Sequence, residues 1–599
     1  MPGQSPWPVR VFFALLLVPF TCVFPYIAEI NNPNENVRVY ATMEIVEEHT
    51  FRIDTMASRY GWVNDMARMP DAKGDGGHLF SVKGPAVTYA GVPFYWAFYK
   101  LAPLFGHKVP KNEDTSTVKA WWLRSSTLVV RFFVVQLPCF GFLVWLERWL
   151  RKITPDTPLR LSAVAAMGLG TNYLAYSLMY CSHSLAAIST FVAFAMTTDD
   201  VARPDGERKT SRAFVVGFLA GLSTMLDYQV LVVSVGLTLY ALCVYFRSFR
   251  RVLALAAGGT IDVLALMFYQ WRCFRNPFTP GHKYAENQGF AEWHKQGLYG
   301  ISKPSWAVLR DVSFSRTFGF FTTSRFMGLA LLAIPVVIFV GWRDPSKRPR
   351  RIATVVWFLT MLALWLAISG AVNWRGGWAV GPRFFVAAPP FFTFGAVCAL
   401  DHFARRGEGA RAFARGLTGG LAVAGLCTLG LVSLVYNSLP ESIERPLAEF
   451  AYPLARAGFV PHHLAELVGW KTPTFFFIAF GCGAGATLVA ALWPSGERRW
   501  ALALRAGVAA LIFAACMYAE FRGVTYGVPG DVSGTRAFFV SVWEPPHRDY
   551  LTQLRAQAAV DPKKPCLWHK LADKEVILGM FDEAGKDHAR AKVPASSCK

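Results

Sequence analysis

The sequence predicts an all-α polytopic membrane protein. Its 599 residues are 53% hydrophobic and only 17% charged, and the mean hydropathy is +0.30. Many separate apolar runs are each long enough to cross about 30 Å of hydrocarbon as a helix. The Lys and Arg residues behind the net charge of +21 fall in short clusters between these runs. Such clusters are typical of cytoplasmic loops, so they do not indicate a nucleic-acid surface.

The apolar runs predict about thirteen transmembrane helices. We interpret the first run as a retained helix and not a signal peptide, because no small-residue cleavage site precedes Glu29 and a membrane pattern follows. The basic clusters place the N-terminus in the cytoplasm and the C-terminal tail outside. The helices are predicted near residues 11–28, 127–147, 161–177, 184–198, 213–227, 229–246, 252–271, 326–342, 352–370, 384–403, 416–436, 473–493 and 500–521.

This topology puts four long polar segments on the outer face, so the functional surface is expected there. Residues 1–521 are predicted to form the transmembrane domain, and residues 522–599 an external tail. The four polar segments are 29–126, 272–325, 437–472 and 522–599.

The first external segment is predicted to contain helices of its own. Asn32 and Pro33 are typical of a helix start, and Glu35 then stands at the third helical position. This helix is expected to run to Glu48 with an apolar stripe that lies in the membrane interface. The aromatic stretch 88–96 predicts an interfacial or re-entrant helix. If this stretch instead crossed the membrane completely, every later loop would lie on the side opposite to the one predicted here.

Glu35 has two interpretations. As a capping residue, it would close a capping box at the start of its helix. As a catalytic residue, its carboxylate at the membrane boundary would be a general base for transfer to a hydroxyl group. Asp262, near the middle of a predicted span, also has two: a functional intramembrane carboxylate or a structural partner of an arginine such as Arg131.

Lys83 opens the aromatic stretch and is a candidate for binding a phosphate leaving group, although a snorkelling membrane anchor is the alternative. The turn 373–383 interleaves Trp, Gly and Arg. Indole faces stack on sugar rings, and guanidinium groups offer forked phosphate donors. The full set of candidate substrate-binding residues is Arg38, His78, Lys83, Tyr95, Trp374, Arg375, Trp378 and Arg383.

Within the tail, the pattern from Trp568 to Ala591 fits one tetratricopeptide-like helical hairpin. A single hairpin cannot bury its own apolar face, so it is expected to pack on the membrane domain or on a protein partner. Cys566 and Cys598 both lie in this tail, where a disulfide is permitted.

The sequence lacks the spacings of common zinc sites, Walker loops and dinucleotide fingerprints. We therefore expect no required cofactor or metal; a divalent cation is compatible with the chemistry, but no tight carboxylate cluster indicates one. Nucleic acid is not an expected partner.

Several motifs resemble the GT-C superfamily of membrane glycosyltransferases. These are Glu35-x-x-Arg38 after the first helix, Lys83-Gly84-Pro85 leading to Tyr95-Trp96, and the stretch from Asn373 through Gly381-Pro382-Arg383. Bacterial enzymes related to aminoarabinose lipid A transferase, protein O-mannosyltransferases and the RgtA/B/C/D-like group are the most similar in character. The resemblance covers roughly residues 10–400.

The resemblance implies a GT-C-like bundle in the bacterial inner (plasma) membrane, with its active site facing the periplasm or exterior. It implies an inverting glycosyltransferase that takes a hexose or pentose from a polyprenyl-phosphate donor. The acceptor would be a lipid, a glycan or a protein. Glu35 would be the base and Lys83 a phosphate contact. The alternatives are a non-enzymatic lipid-linked glycan transporter, an assembly scaffold, or an inactive relative, since Asn34 stands where such families often have Asp.

Overall fold

The chain forms a multi-pass α-helical membrane protein. The structure, a computed structural model, describes residues 7–27, 30, 32–71, 76–297, 300–339, 347–470, 472–493, 496–524, 531–543, 555, 558, 565–578 and 580–598. Glu29, Gly579, the end of the predicted span 326–342 and much of the predicted tail 522–599 lie outside the described residues.

Within the described residues, seven helical segments are long and apolar enough to cross a membrane. Helices also lie within every other predicted span, while the total of about thirteen crossings stays a prediction. The seven segments are Ser116–Leu150, Tyr228–Tyr245, Phe249–Phe274, Arg348–Ser369, Glu408–Val435, Thr474–Leu492 and Arg499–Phe521.

The α-helices are, in chain order, α1 (Trp7–Thr21), α2 (Pro33–Glu47), α3 (Asp54–Tyr60), α4 (Ala86–Leu101), α5 (Ser116–Val130), α6 (Leu137–Leu150), α7 (Thr157–Gly170), α8 (Asn172–Ser177), α9 (His183–Val201), α10 (Thr210–Leu226), α11 (Leu231–Tyr245), α12 (Phe249–Phe274), α13 (Gln288–Lys295), α14 (Trp306–Phe314), α15 (Phe320–Thr323), α16 (Ala333–Phe339), α17 (Arg348–Ser369), α18 (Pro389–Ala404), α19 (Glu408–Gly425), α20 (Leu431–Val435), α21 (Tyr452–Arg456), α22 (Thr474–Leu492), α23 (Arg499–Phe521), α24 (Asp531–Val542), α25 (Pro565–Leu578) and α26 (Phe581–Arg590). Short strands are β1 (Val23–Phe24), β2 (Met66–Met69), β3 (His78–Ser81) and β4 (His462–His463). β1 pairs with β4 and β2 with β3, both antiparallel.

Several predicted spans differ from the prediction in extent or continuity. The helix predicted at 11–28 ends at Thr21 and is followed by β1, and the helix predicted at 416–436 begins at Glu408. The helix predicted at 127–147 begins earlier, because α5 continues through the π-helical segment Arg131–Gln136 into α6. The span predicted at 161–177 breaks at Thr171, whose side chain caps α8 by accepting a hydrogen bond from the Tyr173 N–H at 3.1 Å. The hydropathy of the span did not reveal this break, because the two polar residues Thr171 and Asn172 lie within a longer apolar run.

The two ends of the bundle differ in composition. At one end the basic clusters join neighbouring helices: the Lys152 Nζ lies 2.7 Å from Asp199 Oδ2, and Arg350 Nη2 donates to the Ile153 carbonyl at 2.8 Å. At the other end the long polar segments meet; for example, Thr317 Oγ1 donates to the Glu444 carbonyl at 2.8 Å. The segregation agrees with the positive-inside pattern, and which end faces the cytoplasm stays a prediction.

Helix α2 begins as predicted but packs differently. Asn32 is the N-cap, accepting a hydrogen bond from the Asn34 N–H at 3.2 Å, and Pro33 is the first helical residue. Most of α2 is buried on every side, against α4 among others. The prediction that α2 lies in the membrane interface is therefore wrong: α2 is a core helix that carries polar side chains into the protein interior.

The described part of the tail packs against the main body. In α24, Phe539 is buried in the common core, and the Trp543 indole just beyond this helix donates to the Val460 carbonyl at 3.0 Å. Helices α25 and α26 pack against each other, and α25 contacts α21 and α24; the tetratricopeptide-like character of this pair stays a prediction. Cys566 and Cys598 are joined by a disulfide with a Cα–Cα distance of 5.3 Å.

Candidate functional site

The β2–β3 hairpin brings a carboxylate and a lysine together. Asp65 directly precedes β2, and Lys83 follows β3; the register pairs Met66 with Ser81, so the two side chains emerge beside each other. Lys83 Nζ lies 2.9 Å from Asp65 Oδ1, and both side chains are largely buried. The Val82 N–H also donates to the Asp65 carbonyl at 3.2 Å, which fixes the backbone at this point.

Two glycines allow other segments to approach Lys83 closely. A Cβ on Gly84 would lie 2.2 Å from the Met225 carbonyl oxygen, two residues before Asp227. A Cβ on Gly281 would lie 3.0 Å from the Cα of Val82. Because real Cβ atoms do not come as close as the first of these contacts, Gly84 is required where the lysine loop meets the end of α10.

Arg38 projects from α2 and is almost entirely buried, at 2% exposure. Its guanidinium donates to the Asn34 carbonyl, to Asn34 Oδ1 at 2.5 Å and to Ser182 Oγ at 3.0 Å. Among the described residues no carboxylate lies within 4.0 Å of it to form an ion pair. A buried cation is normally paired with an anion, so Arg38 is a candidate contact for an anion from outside the chain.

Arg383 is a second arginine near Lys83 that has no carboxylate partner among the described residues. It lies over the ring of Phe384, with 5.2 Å from Cζ to the ring centroid. Its Nε is buried and has no hydrogen-bond partner within the described part of the chain. Asn172 Nδ2 donates to the Pro382 carbonyl at 2.8 Å, which ties the preceding residue to α8.

A histidine–aspartate pair completes the group. His183 begins α9, and its Nδ1 lies 2.6 Å from Asp227 Oδ2; both residues are largely buried. Arg38 and Arg383 are close enough to act electrostatically on His183, and Arg38 also acts on Asp227. We use "cation cluster" for Arg38, Lys83 and Arg383, together with Asp65, Asp227 and His183.

The electrostatics of the cation cluster favour an anionic ligand. Burial alone would raise the pKa of Asp65, but Lys83, Arg383 and His282 lower it, so its carboxylate is ionised. Burial lowers the pKa of His282 to about 3, with Lys83 and His294 acting in the same direction, so its ring is neutral. Burial lowers the pKa of Lys83, whereas Asp65 raises it, and the direct ion pair at 2.9 Å keeps Lys83 charged. Three cations then face two carboxylates, which leaves one positive charge for a bound anion such as a phosphate.

Glu35 lies one turn from Arg38, but it is engaged elsewhere. Both of its carboxylate oxygens accept hydrogen bonds from the Arg131 guanidinium, and Oε1 also accepts one from the Tyr180 N–H at 2.6 Å. The Glu35 and Arg131 side chains are only 1% and 2% exposed. The capping-box interpretation is therefore wrong, and the predicted base role has no support from this geometry. Arg131 is the partner of Glu35, not of Asp262 as considered from the sequence.

His78 and Tyr95 make structural contacts outside the cation cluster. His78 lies in β3, with Nδ1 at 3.0 Å from Asp54 Oδ2 on α3. Tyr95 is buried in α4, where its hydroxyl donates to Glu47 Oε1 at 2.5 Å and accepts from the Trp122 indole at 3.0 Å. These bonds occupy the polar atoms of Tyr95 inside the core, so its geometry does not favour substrate binding.

The turn before Arg383 is partly exposed. Arg375 lies over the Trp374 ring at 4.9 Å, and its Nη1 lies 2.8 Å from Glu441 Oε2. Trp378 is 42% exposed, with its ring centroid 6.0 Å from that of Phe539. Sugar stacking by the two tryptophans stays a prediction, and a surface carboxylate already occupies Arg375.

The structure thus brings Arg38, Lys83 and Arg383 together, and it adds residues that the sequence reasoning missed. Asp65, Asp227 and His183 are the additions. Asp227 and His183 could have been found as polar residues at the external ends of predicted spans. Within the described residues, no group of three or more His, Cys, Asp or Glu side chains is arranged to hold a metal ion.

Comparisons with known proteins return little. No family model and no curated protein matches the chain. One solved structure that matches is that of ArnT from Cupriavidus metallidurans bound to undecaprenyl phosphate. The identity is 14%, the match covers 88% of this chain and 82% of that chain, and the TM-score is 0.38. At this TM-score the likeness carries no argument about the function of the chain.

Proposed function

We propose that the protein is an inverting glycosyltransferase that moves a sugar from a polyprenyl-phosphate donor to an acceptor at the outer face of the membrane. The observation that carries the proposal is the pair of arginines in the cation cluster. Arg38 and Arg383 lie beside Lys83 without carboxylate partners among the described residues. Such a group of cations suits a phosphate that gains charge as it leaves the sugar.

The position of the cluster supports a lipid-linked donor. It lies at the end of the bundle where the long polar segments meet, which is the end where the phosphate of a membrane-anchored donor would approach while its lipid chain stays in hydrocarbon. The resemblance of the sequence motifs to GT-C glycosyltransferases supports the reaction class. The proposal requires no cofactor, and the acceptor is a lipid, a glycan or a protein.

The test uses purified protein and a panel of radiolabelled polyprenyl-phosphate sugars, with a membrane-lipid extract as the source of acceptor. Release of polyprenyl phosphate is measured for each donor. We expect one donor to be consumed. Failure of every donor to bind would contradict the proposal, whereas binding without turnover would favour the transporter, scaffold or inactive-relative alternative.

The variant Lys83→Ala tests the site itself. Loss of a hydrogen bond to a charged group costs about 1.5–3 kcal/mol, so donor affinity should fall about 10- to 150-fold. Lys108→Ala is the matched control, because Lys108 Nζ lies 2.8 Å from Asp114 Oδ1 in an equivalent pair but is 64% exposed. Equal affinity of the Lys83 variant and the control would remove Lys83 from the site.

A further inference from the structure

The contact between His183 and Asp227 determines which ring nitrogen of His183 carries the proton. Burial alone would raise the pKa of Asp227, but His183, the Gln229 N–H and Arg38 lower it to about 2. Asp227 is therefore ionised and can only accept hydrogen bonds. The proton on the ring of His183 consequently lies on Nδ1, which donates to Asp227 Oδ2 at 2.6 Å. In the neutral ring, Nε2 then carries a free lone pair.

The Nε2 atom of His183 has no hydrogen-bond partner among the described residues. It is buried, and no hydrogen-bonding group of the described residues reaches it. Buried polar atoms are normally hydrogen-bonded, so an unpaired one indicates a ligand group or a role in the reaction. A lone pair accepts a hydroxyl proton but repels phosphate oxygens. The Nε–H groups of Arg38 and Arg383, which are also buried and unpaired within the described residues, have the opposite preference.

We infer that His183 is the catalytic base that takes the proton of the acceptor hydroxyl, and that Asp227 positions its ring; this inference rests on the proposed glycosyl transfer. The hydroxyl proton moves to His183 Nε2 while the acceptor oxygen forms a bond to the anomeric carbon. The bond from that carbon to the phosphate oxygen breaks, and its electron pair leaves with polyprenyl phosphate, which Arg38, Lys83 and Arg383 bind.

The other acidic groups near the cluster are less suited to the role. Asp65 is bound to Lys83, and Glu35 has both oxygens on Arg131. A carboxylate held by a cation is a weak base, because the cation stabilises its ionised form. His183, in contrast, gains a proton next to the carboxylate of Asp227, which stabilises the imidazolium that forms.

The experiment compares His183→Gln with the wild type in donor binding and in turnover. Glutamine can still donate to Asp227 but cannot take up the proton. We expect donor affinity to remain within about threefold and turnover to fall by about 10²-fold or more. His107→Gln is the control, since His107 is exposed and stacks on Trp121 with a 3.7 Å centroid separation.

The pH dependence separates a base from a merely structural residue. Wild-type kcat/KM should fall at acidic pH as His183 is protonated, and His183→Gln should not show this decrease. The charged groups that face the ring are Asp227, Arg38 and Arg383, and the Tyr176 ring packs against it at 5.1 Å. Asp227→Asn should lower turnover and shift the pH at which kcat/KM decreases, because an amide also permits the tautomer with the proton on Nε2.

The outcomes are distinct. Wild-type turnover in His183→Gln, with donor binding intact, would overturn the assignment of His183 and leave the proposed function standing. A wild-type protein that neither binds nor consumes any polyprenyl-phosphate sugar would overturn the proposed function and this assignment with it. Parallel losses of donor binding and turnover in His183→Gln would also overturn the assignment, because they indicate a binding role.

Discussion

The ion pair between Glu35 and Arg131 shows how burial changes the role expected of a residue. A carboxylate near the membrane boundary suggested a base, yet both of its oxygens are bound to a buried guanidinium. Removal of one partner from a buried ion pair leaves an uncompensated charge, which costs about 3–5 kcal/mol. The pair therefore fixes α2 against the helix that contains Arg131.

Glu35→Gln is expected to lower thermal stability strongly, while the folded fraction keeps most of its turnover. The double variant Glu35→Gln with Arg131→Met should recover part of the stability, because no unpaired charge remains. Thermal unfolding in detergent and turnover per folded molecule are the measurements. A variant with unchanged stability, intact donor binding and turnover reduced about 10²-fold would instead restore Glu35 as the base.

Glu44 gives the external segment a pH-dependent stability. It lies in α2, only 1% exposed, and its Oε1 accepts a hydrogen bond from the Met56 N–H at 2.9 Å. Burial raises its pKa from 4.5 to about 7. Folding therefore favours the protonated form of Glu44. The contribution of the protonated side chain to the free energy of unfolding is fully present below pH 4.5 and is lost as pH rises through about 7.

Glu44→Gln should flatten the decline in the unfolding temperature between pH 5 and pH 8, because the amide is neutral throughout. The gain at pH 8 is on the order of 3 kcal/mol. Glu113→Gln, at an exposed position of the same external segment, is the control and should keep the wild-type slope. A Glu44 variant with that same slope would show that another group causes the pH dependence.

At the scale of elements, the position of Lys83 depends on the close approach between its loop and the end of α10. Gly84→Ala would place a Cβ 2.2 Å from the Met225 carbonyl oxygen, so one backbone must move. We expect a loss of about 1–3 kcal/mol in stability and a fall in donor affinity similar to that of Lys83→Ala. In Gly141→Ala the added Cβ would meet nothing within 4 Å, and this control should bind the donor normally.

The sequence predicted the helices well and the site only in part, for a physical reason. A helix in hydrocarbon satisfies its own backbone hydrogen bonds, so each apolar run predicts its helix without knowledge of its neighbours. The partner of a polar side chain depends on packing between distant segments. Hence Lys83 and Arg383 were identified as cations, but the pairing of Lys83 with Asp65 and of Glu35 with Arg131 was not.

Asp262 illustrates the same limit. Its position within a span was correctly predicted, since α12 is among the long apolar helices. Its environment could not be predicted: a Cβ on Gly221 of α10 would lie 2.8 Å from its Oδ2. The side chain is thus enclosed between α10 and α12, and Oδ2 has no hydrogen-bond partner among the described residues.

At the scale of the whole molecule, the topology decides whether the cation cluster and the disulfide of the tail lie outside the membrane or in the cytoplasm. Alkaline phosphatase fused after Lys599 should be active, because the tail is predicted to be external. The same reporter inserted after Arg406, in a basic cluster at the opposite end, should be inactive. The reverse pattern would place the cluster in the cytoplasm and contradict an external acceptor.

The central claim is that Arg38, Lys83 and Arg383 together bind the phosphate of a lipid-linked sugar. Cryo-electron microscopy of the protein with undecaprenyl phosphate tests it most directly. We predict phosphate density within hydrogen-bonding distance of Lys83 Nζ and of both guanidinium groups, with the Glu35–Arg131 pair intact and His183 facing the site. Phosphate density bound elsewhere, with the three cations unchanged, would contradict the claim.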